Sequence, residues 1–110
     1  MKIAGVPFTV TDWGEIPPVE HPGETGNSYW RTVETGNVRA RVVEYSPGYR
    51  ADHWCARGHV LWVVEGELTV ELKDGQIHEL KKGMSFQAAD DAQNPHLAWT
   101  APGATVFIID

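Results

Sequence analysis

Residues 48–66 read GYRADHWCARGHVLWVVEG, and this stretch indicates both the fold class and a candidate site. His53 and Cys55 are two residues apart, so their side chains would lie on the same face of a β-strand. A turn ending at Gly58 can then reverse the chain, and the returning strand would begin at His59. If these faces line the interior of a barrel, two imidazoles and a thiol converge there.

The rest of the chain also favours an all-β fold. Eleven glycines and seven prolines interrupt the sequence, and helical periodicity is weak throughout. Short apolar or alternating runs between turn residues are typical of a β-sandwich or barrel. The predicted strands are Tyr29–Glu34, Val38–Tyr45, Arg50–Cys55, His59–Glu65, Leu68–Lys73, Gln76–Leu80, Met84–Ala88, His96–Thr100 and Thr105–Ile109.

A chain of 110 residues has room for one domain with one hydrophobic core. Residues 1–28 are rich in proline, and we expect them to be extended or loop-like and to pack on the barrel. Residues 29–110 would form the barrel itself. No repeat or linker divides the chain.

Charge and cysteine content narrow the classes of partner. The net charge of -6 argues against a nucleic-acid partner, because phosphate binding needs a basic face. The single cysteine rules out an intramolecular disulfide, which fits a reducing compartment. No signal-peptide pattern and no long apolar run is visible, so we expect a cytoplasmic protein without a membrane partner.

His96, the first residue of a later predicted strand, completes a candidate metal site with His53, Cys55 and His59. Imidazole and thiolate donors favour a divalent transition metal, Zn, Fe, Ni or Cu, over Mg or Ca. The alternative is that the histidines only satisfy one another in the interior and that Cys55 is a small buried apolar residue. The sequence alone leaves open whether Cys55 is a ligand.

Residues 48–66 resemble the first motif of the cupin superfamily, in which a glycine precedes a His-x-His pair, a glutamate and a closing glycine. Residues 83–96, GMSFQAADDAQNPH, are more loosely similar to the second motif. Cys55 stands where cupins usually have the second histidine, and His59 stands at the glutamate position. The segment 52–55, Asp-His-Trp-Cys, further resembles a group of small bacterial cupins called DHCW-type. The resemblance implies a single-domain jelly-roll barrel, or double-stranded β-helix, with a metal centre inside it.

The second motif departs further from the cupin pattern. Ala89 and Asp91 replace its usual proline and glycine, and His96 falls two residues late. We expect the loop before His96 to absorb this shift. Cupins with three-histidine iron sites include dioxygenases, so the resemblance also implies that oxygen chemistry is one candidate activity.

The predicted strand that begins at His59 is apolar on both faces. The alternate residues that would point away from the barrel interior are Val60, Trp62 and Val64. An apolar face of this kind is usually covered, and a homodimer is the simplest cover in a chain this small. The alternative is that the N-terminal segment folds over it. Cupins resembling this chain are often dimers, which favours the homodimer.

Two functional hypotheses follow. The first is a metal-dependent enzyme, an oxygenase or isomerase, acting on a small organic acid or another polar metabolite in the barrel. The second is a non-catalytic sensor or accessory module that binds a metal or metabolite. A metal held by three protein ligands and water favours the enzyme, whereas a closed four-ligand site favours the module.

No catalytic residue follows from the sequence. The position of Glu65 in the strand would direct its side chain inward. It lies, however, at the end of the predicted strand beside a turn, so it is not identified as a general base. Arg39, Arg41 and Arg50 could meet a substrate carboxylate. Alternating charges of this kind are, however, more typical of the solvent face of a strand.

Overall fold

The computed structural model describes residues 2–110. Its regular structure is almost entirely antiparallel β, with one short 3₁₀ turn at Trp13–Glu15 and no α-helix within these residues. No helix in the described part of the chain is long and apolar enough to cross a membrane. The prediction of an all-β chain is confirmed. The strands are β1 (Val19–Pro22), β2 (Asn27–Thr35), β3 (Val38–Tyr45), β4 (His59–Leu72), β5 (Ile77–Lys81), β6 (Ser85–Ala88), β7 (His96–Trp99) and β8 (Ala104–Ile109).

The strands pair in the order β1-β2-β3-β8-β4-β5, and β6 and β7 each pair with β4. The first half of β4 pairs with β6 and β8, while its second half pairs with β5 and β7. β4 therefore joins two sheets that enclose one interior. The core of that interior is a cluster of nine buried apolar residues: Val43, Leu61, Val63, Leu68, Val70, Leu80, Ala104, Val106 and Ile108.

β4 is one continuous strand, whereas the sequence predicts two strands separated by a turn at Gly66-Glu67. A β-bulge shifts the register between Val63 and Glu65, and Gly66 has a φ of 78°. A Cβ atom at Gly66 would lie 2.1 Å from the carbonyl oxygen of Gly103, so only glycine permits this close approach. The prediction of a turn was wrong because the bulge and the glycine bend the strand instead of ending it.

The segment 1–28 contains β1 and the first residues of β2 in addition to loop. β1 forms the edge of the sheet, with Val19 opposite Trp30. Trp13 packs edge-on against Phe107 of β8, with ring centroids 5.9 Å apart. The N-terminal segment therefore extends the sheet and covers part of its outer face.

Residues 50–55 do not form the predicted strand. Arg50 makes isolated bridges to Thr25 and Trp99, and Cys55 makes one to His96. The chain bends between these bridges, so no run of ladder hydrogen bonds forms. The alternation of faces that was expected to place His53 beside Cys55 therefore does not apply.

Candidate metal centre

Cys55, His59 and His96 each bring one possible ligand atom to the same place in the interior. The Sγ atom and the two imidazole nitrogens all lie within 4.8 Å of one another. The Nε2 atoms of His59 and His96 are 2.9 Å apart, and the two rings are nearly perpendicular at 82°. The structure thus brings together three of the four predicted ligands.

Strand ends position these donors. His59 is the first residue of β4, and His96 is the first residue of β7. Cys55 faces His96 across their bridge, in which the N–H of Cys55 donates at 2.7 Å and the N–H of His96 donates at 2.9 Å. Phe86 of β6 packs edge-on against both imidazoles, with centroid distances of 6.0 and 5.5 Å. The backbone therefore fixes Cys55 opposite His96, and one aromatic ring holds both histidines.

The loop between Cys55 and β4 is held close to the end of β6. The backbone N–H of Gly58 donates to the Oδ1 of Asp90 at 2.6 Å. A Cβ atom at Gly58 would lie 2.3 Å from the carbonyl oxygen of Ala88, so a larger residue would push the loop away. Gly58 and Asp90 thus join the two motif-like segments of the sequence at the site.

Asp110 supports the site, and the sequence analysis did not identify it. Its carboxylate is only 2% exposed, and its Oδ2 lies 3.1 Å from the Nδ1 of His59. Arg39 donates two hydrogen bonds of 2.8 Å to it, and Arg41 and Arg57 lie 3.3 and 3.4 Å away. A carboxylate on Nδ1 fixes the tautomer of a histidine and leaves Nε2 free to bind. One aspartate after a strand is too common a signal to be singled out from sequence.

The three donors open onto a cavity of about 310 Å³. Arg39, Arg41 and Arg57 line it, together with Tyr45 and other side chains. Of the two alternatives for the alternating arginines, the solvent face, which the pattern favoured, is wrong for Arg39 and Arg41 of β3. They share the inward face of the strand with Tyr45 and the fully buried Val43. The cavity is therefore strongly cationic, which composition alone does not reveal.

His53, a predicted ligand, and Glu65, which was expected to point inward, do not belong to the cluster of three donors. The side chain of His53 borders the cavity but is 77% exposed, with its Nδ1 2.6 Å from the Oδ1 of Asp52. The β-bulge turns Glu65 to the surface, where its Oε1 lies 2.9 Å from the Nζ of Lys82. The inward position expected for Glu65 was therefore wrong. His53 as a fourth ligand stays a prediction.

Several solved structures share this arrangement of strands. A cupin-like protein from Thermotoga maritima superposes with a TM-score of 0.72 and 22% identity, over 86% of this chain and 77% of its own. The chain has a cupin fold. Ectoine synthase from P. lautus gives a TM-score of 0.74 at 13% identity, over 93% of this chain and 76% of its own. Fe(II)-HppE with the alternative substrate (S)-1-HPP gives 0.74 at 15% identity, and the match spans 94% of this chain and 60% of that protein.

The cupin fold confirms the predicted jelly-roll architecture. Neither a protein-family model nor a curated protein sequence matches the chain. Its likeness to the DHCW-type group therefore stays a prediction. Within the cupin barrel, the loop before β7 absorbs the late position of His96, which still faces Cys55 and His59.

The cupin interior also sets the charge of these groups. Burial lowers the pKa of His59, although the hydrogen bond to Asp110 opposes the shift. Burial and the neighbouring His59 lower the pKa of His96 to about 4. Burial opposes ionisation of Asp110, but hydrogen bonds from Arg39 and His59 hold its pKa well below the usual range. Near neutral pH both imidazoles are therefore uncharged, which is the state in which histidine binds a metal ion.

Proposed function

We propose that this chain binds one divalent transition-metal ion through Cys55, His59 and His96. We further propose that it acts as a metal-dependent enzyme on a small polar metabolite in the barrel cavity. The observation that carries the proposal is that the three donors converge on the wall of a cavity of about 310 Å³. A site that faces a cavity leaves room for a substrate beside the metal position.

The donor set fits such an ion. Metal–nitrogen bonds of about 2.0–2.1 Å place two neighbouring imidazole nitrogens about 2.9 Å apart at a right angle and about 3.4 Å apart in a tetrahedron. The two Nε2 atoms, 2.9 Å apart and within hydrogen-bond distance of each other, lie at the short end of this range. One thiol with two neutral imidazoles favours Zn, Fe, Ni or Cu over the hard cations Mg and Ca.

The arrangement favours the enzyme over the closed binding module. With His53 directed to Asp52, three protein donors remain at the site, and a metal held by three ligands keeps an open position. Bound there, such an ion would act as a Lewis acid on a substrate oxygen or activate dioxygen. Fe(II)-HppE, which is similar in fold, supports iron as one of the candidate metals.

The residues around the donors have distinct roles in this proposal. Asp110 would orient His59 through Nδ1 and hold its proton there. Phe86 would exclude water from one side of both imidazoles. Burial raises the pKa of Tyr45, so its phenol would stay protonated and donate a hydrogen bond to a substrate in the cavity.

Elemental mass spectrometry of untagged protein purified without oxygen tests the proposal. We expect about one Fe, Ni, Zn or Cu ion per chain, lost in His59→Gln and His96→Gln and bound more weakly in Cys55→Ser. His78→Gln is the matched control, because His78 is an exposed histidine of β5 outside the cluster. No metal in the wild-type protein after reconstitution, with the variants still folded, would overturn the proposal.

A further inference from the structure

Arg41 is buried and incompletely paired. Its side chain is only 6% exposed, and one terminal nitrogen lies 3.3 Å from the Oδ2 of Asp110. The Nε atom is, among residues 2–110, the only buried side-chain nitrogen or oxygen without a hydrogen-bond partner. A buried donor without a partner is costly, so Arg41 gains from any acceptor that its guanidinium can reach.

The charge around Arg41 is also unbalanced. Arg39, Arg41 and Arg57 line the cavity, and no Asp or Glu of the described residues does so. Asp110 does not line this cavity and is shared by all three guanidinium groups. One carboxylate against three arginines leaves two positive charges in excess. An excess of this kind in a cavity attracts a small anion.

Aromatic rings form another part of the cavity wall. The guanidinium of Arg41 stacks over Trp30, 4.5 Å from the ring centroid, which fixes its plane. Tyr45 and Tyr49 pack together with centroids 4.6 Å apart, and both rings line the cavity. Such walls suit a flat or apolar body that carries the anionic group.

We infer that the cavity binds a small organic carboxylate, with the carboxylate on Arg41 and Arg57 and the apolar body against Tyr45 and Tyr49. The guanidinium groups of Arg41 and Arg57, which both line the cavity, would donate to the carboxylate oxygens. His59 and His96 border the same cavity, so the ligand would lie beside the metal centre. The inference rests on the proposed function and names the substrate class of that site.

Calorimetric titration of the metal-free protein with benzoate, and with benzamide as its neutral isostere, tests this inference without a metal. We expect benzoate to bind one per chain and benzamide to bind about tenfold more weakly or worse. Arg41→Gln should weaken benzoate binding by about tenfold or more, and Arg41→Lys should restore only part of it. Arg57→Gln, at a half-exposed position, should weaken binding without risk to the fold.

Arg31→Gln is the control, because Arg31 pairs with Glu44 and does not line the cavity. It should leave benzoate binding unchanged. No benzoate binding to the wild-type protein, equal affinity for benzamide, or unchanged affinity in both Arg41→Gln and Arg57→Gln would overturn the inference. A chain that binds metal but does not prefer benzoate would keep the proposed metal site and lose the carboxylate site. A chain that prefers benzoate but binds no metal would keep the carboxylate site and lose the proposed metal site.

Discussion

The Oδ2 of Asp110 lies 3.1 Å from the Nδ1 of His59, at the point where the end of β8 meets the start of β4. The carboxylate is buried and is also bound by Arg39. This contact directs the Nε2 of His59 toward His96 and into the cavity. Asp110 therefore links the cationic wall of the cavity to the candidate metal centre.

Asp110→Asn should weaken metal binding by about 10- to 100-fold, because an amide no longer holds the Nδ1 proton of His59 as a carboxylate does. The measurement is a competition titration against a chromophoric chelator. Circular dichroism at the titration temperature would verify that the variant is folded. Asp12→Asn, at an exposed cap in the N-terminal segment, is the control. Equal affinities of the two variants would refute the orienting role.

His53→Gln should keep the bound metal, in contrast to the loss expected for His59→Gln. The side chain of His53 is 77% exposed and pairs with Asp52, away from the three converging donors. The metal content and affinity of the two variants would be measured side by side. Loss of metal in His53→Gln would instead indicate a closed four-ligand site and favour the non-catalytic binding module.

The metal-free protein should lose stability as the pH falls from about 6.5 to about 4. The pKa of His96 is lowered to about 4 in the folded chain, whereas an exposed histidine titrates near 6.5. Between these two pH values the unfolded chain binds more protons than the folded chain. The free energy of unfolding therefore decreases as the pH decreases. The pKa of Asp110 is lowered below its usual range, so its stabilising effect is lost only at lower pH.

Thermal unfolding followed between about pH 7 and about pH 5 would measure this slope. His96→Gln should unfold with a smaller pH dependence than the wild-type protein, and the control His78→Gln should match the wild type. An unchanged slope in His96→Gln would mean that another group controls the acid sensitivity.

Much of this fold followed from sequence because its signals are local. β3 matches its predicted bounds, and β8 differs by one residue. The features that the sequence did not predict depend on contacts between segments that are distant in the chain. The bulge after Val63 depends on strand pairing, and the approach of Gly66 to Gly103 involves residues far apart in the chain. Neither leaves a local pattern.

The site was predictable in part for the same reason. Cys55, His59 and His96 belong to motif-like segments, so their residue types and spacing carry the signal. Asp110 and the inward direction of Arg41 carry no such signal. A lone carboxylate, or charges that alternate along a strand, look the same in the sequence when they lie on a solvent-exposed face. Only the three-dimensional pairing of β3 with β8 brings them to His59.

The outward face of β4 leads to a prediction about assembly. Val60, Trp62 and Val64 are 41%, 50% and 40% exposed, and the N-terminal segment, which packs Trp13 on Phe107, leaves them uncovered. We propose that a second copy of the chain covers this face. Analytical ultracentrifugation of the wild-type protein should give twice the chain mass.

Trp62→Glu should convert this dimer to a monomer, because the substitution places a charge in the middle of the apolar face. Ile77→Glu is the matched control, since Ile77 is an exposed apolar residue on β5, in the other sheet. A monomeric wild-type protein at micromolar concentration would contradict the proposal. So would a Trp62→Glu variant that remains a dimer.

X-ray absorption of the zinc-loaded protein would show whether Cys55, His59 and His96 bind the metal ion together. We predict one sulfur at about 2.3 Å and two imidazole nitrogens at about 2.0–2.1 Å, with only light oxygen ligands in addition. Cys55→Ser should remove the sulfur shell and keep the imidazoles. A spectrum with oxygen ligands alone, without sulfur or imidazole scattering, would contradict the site formed by Cys55, His59 and His96.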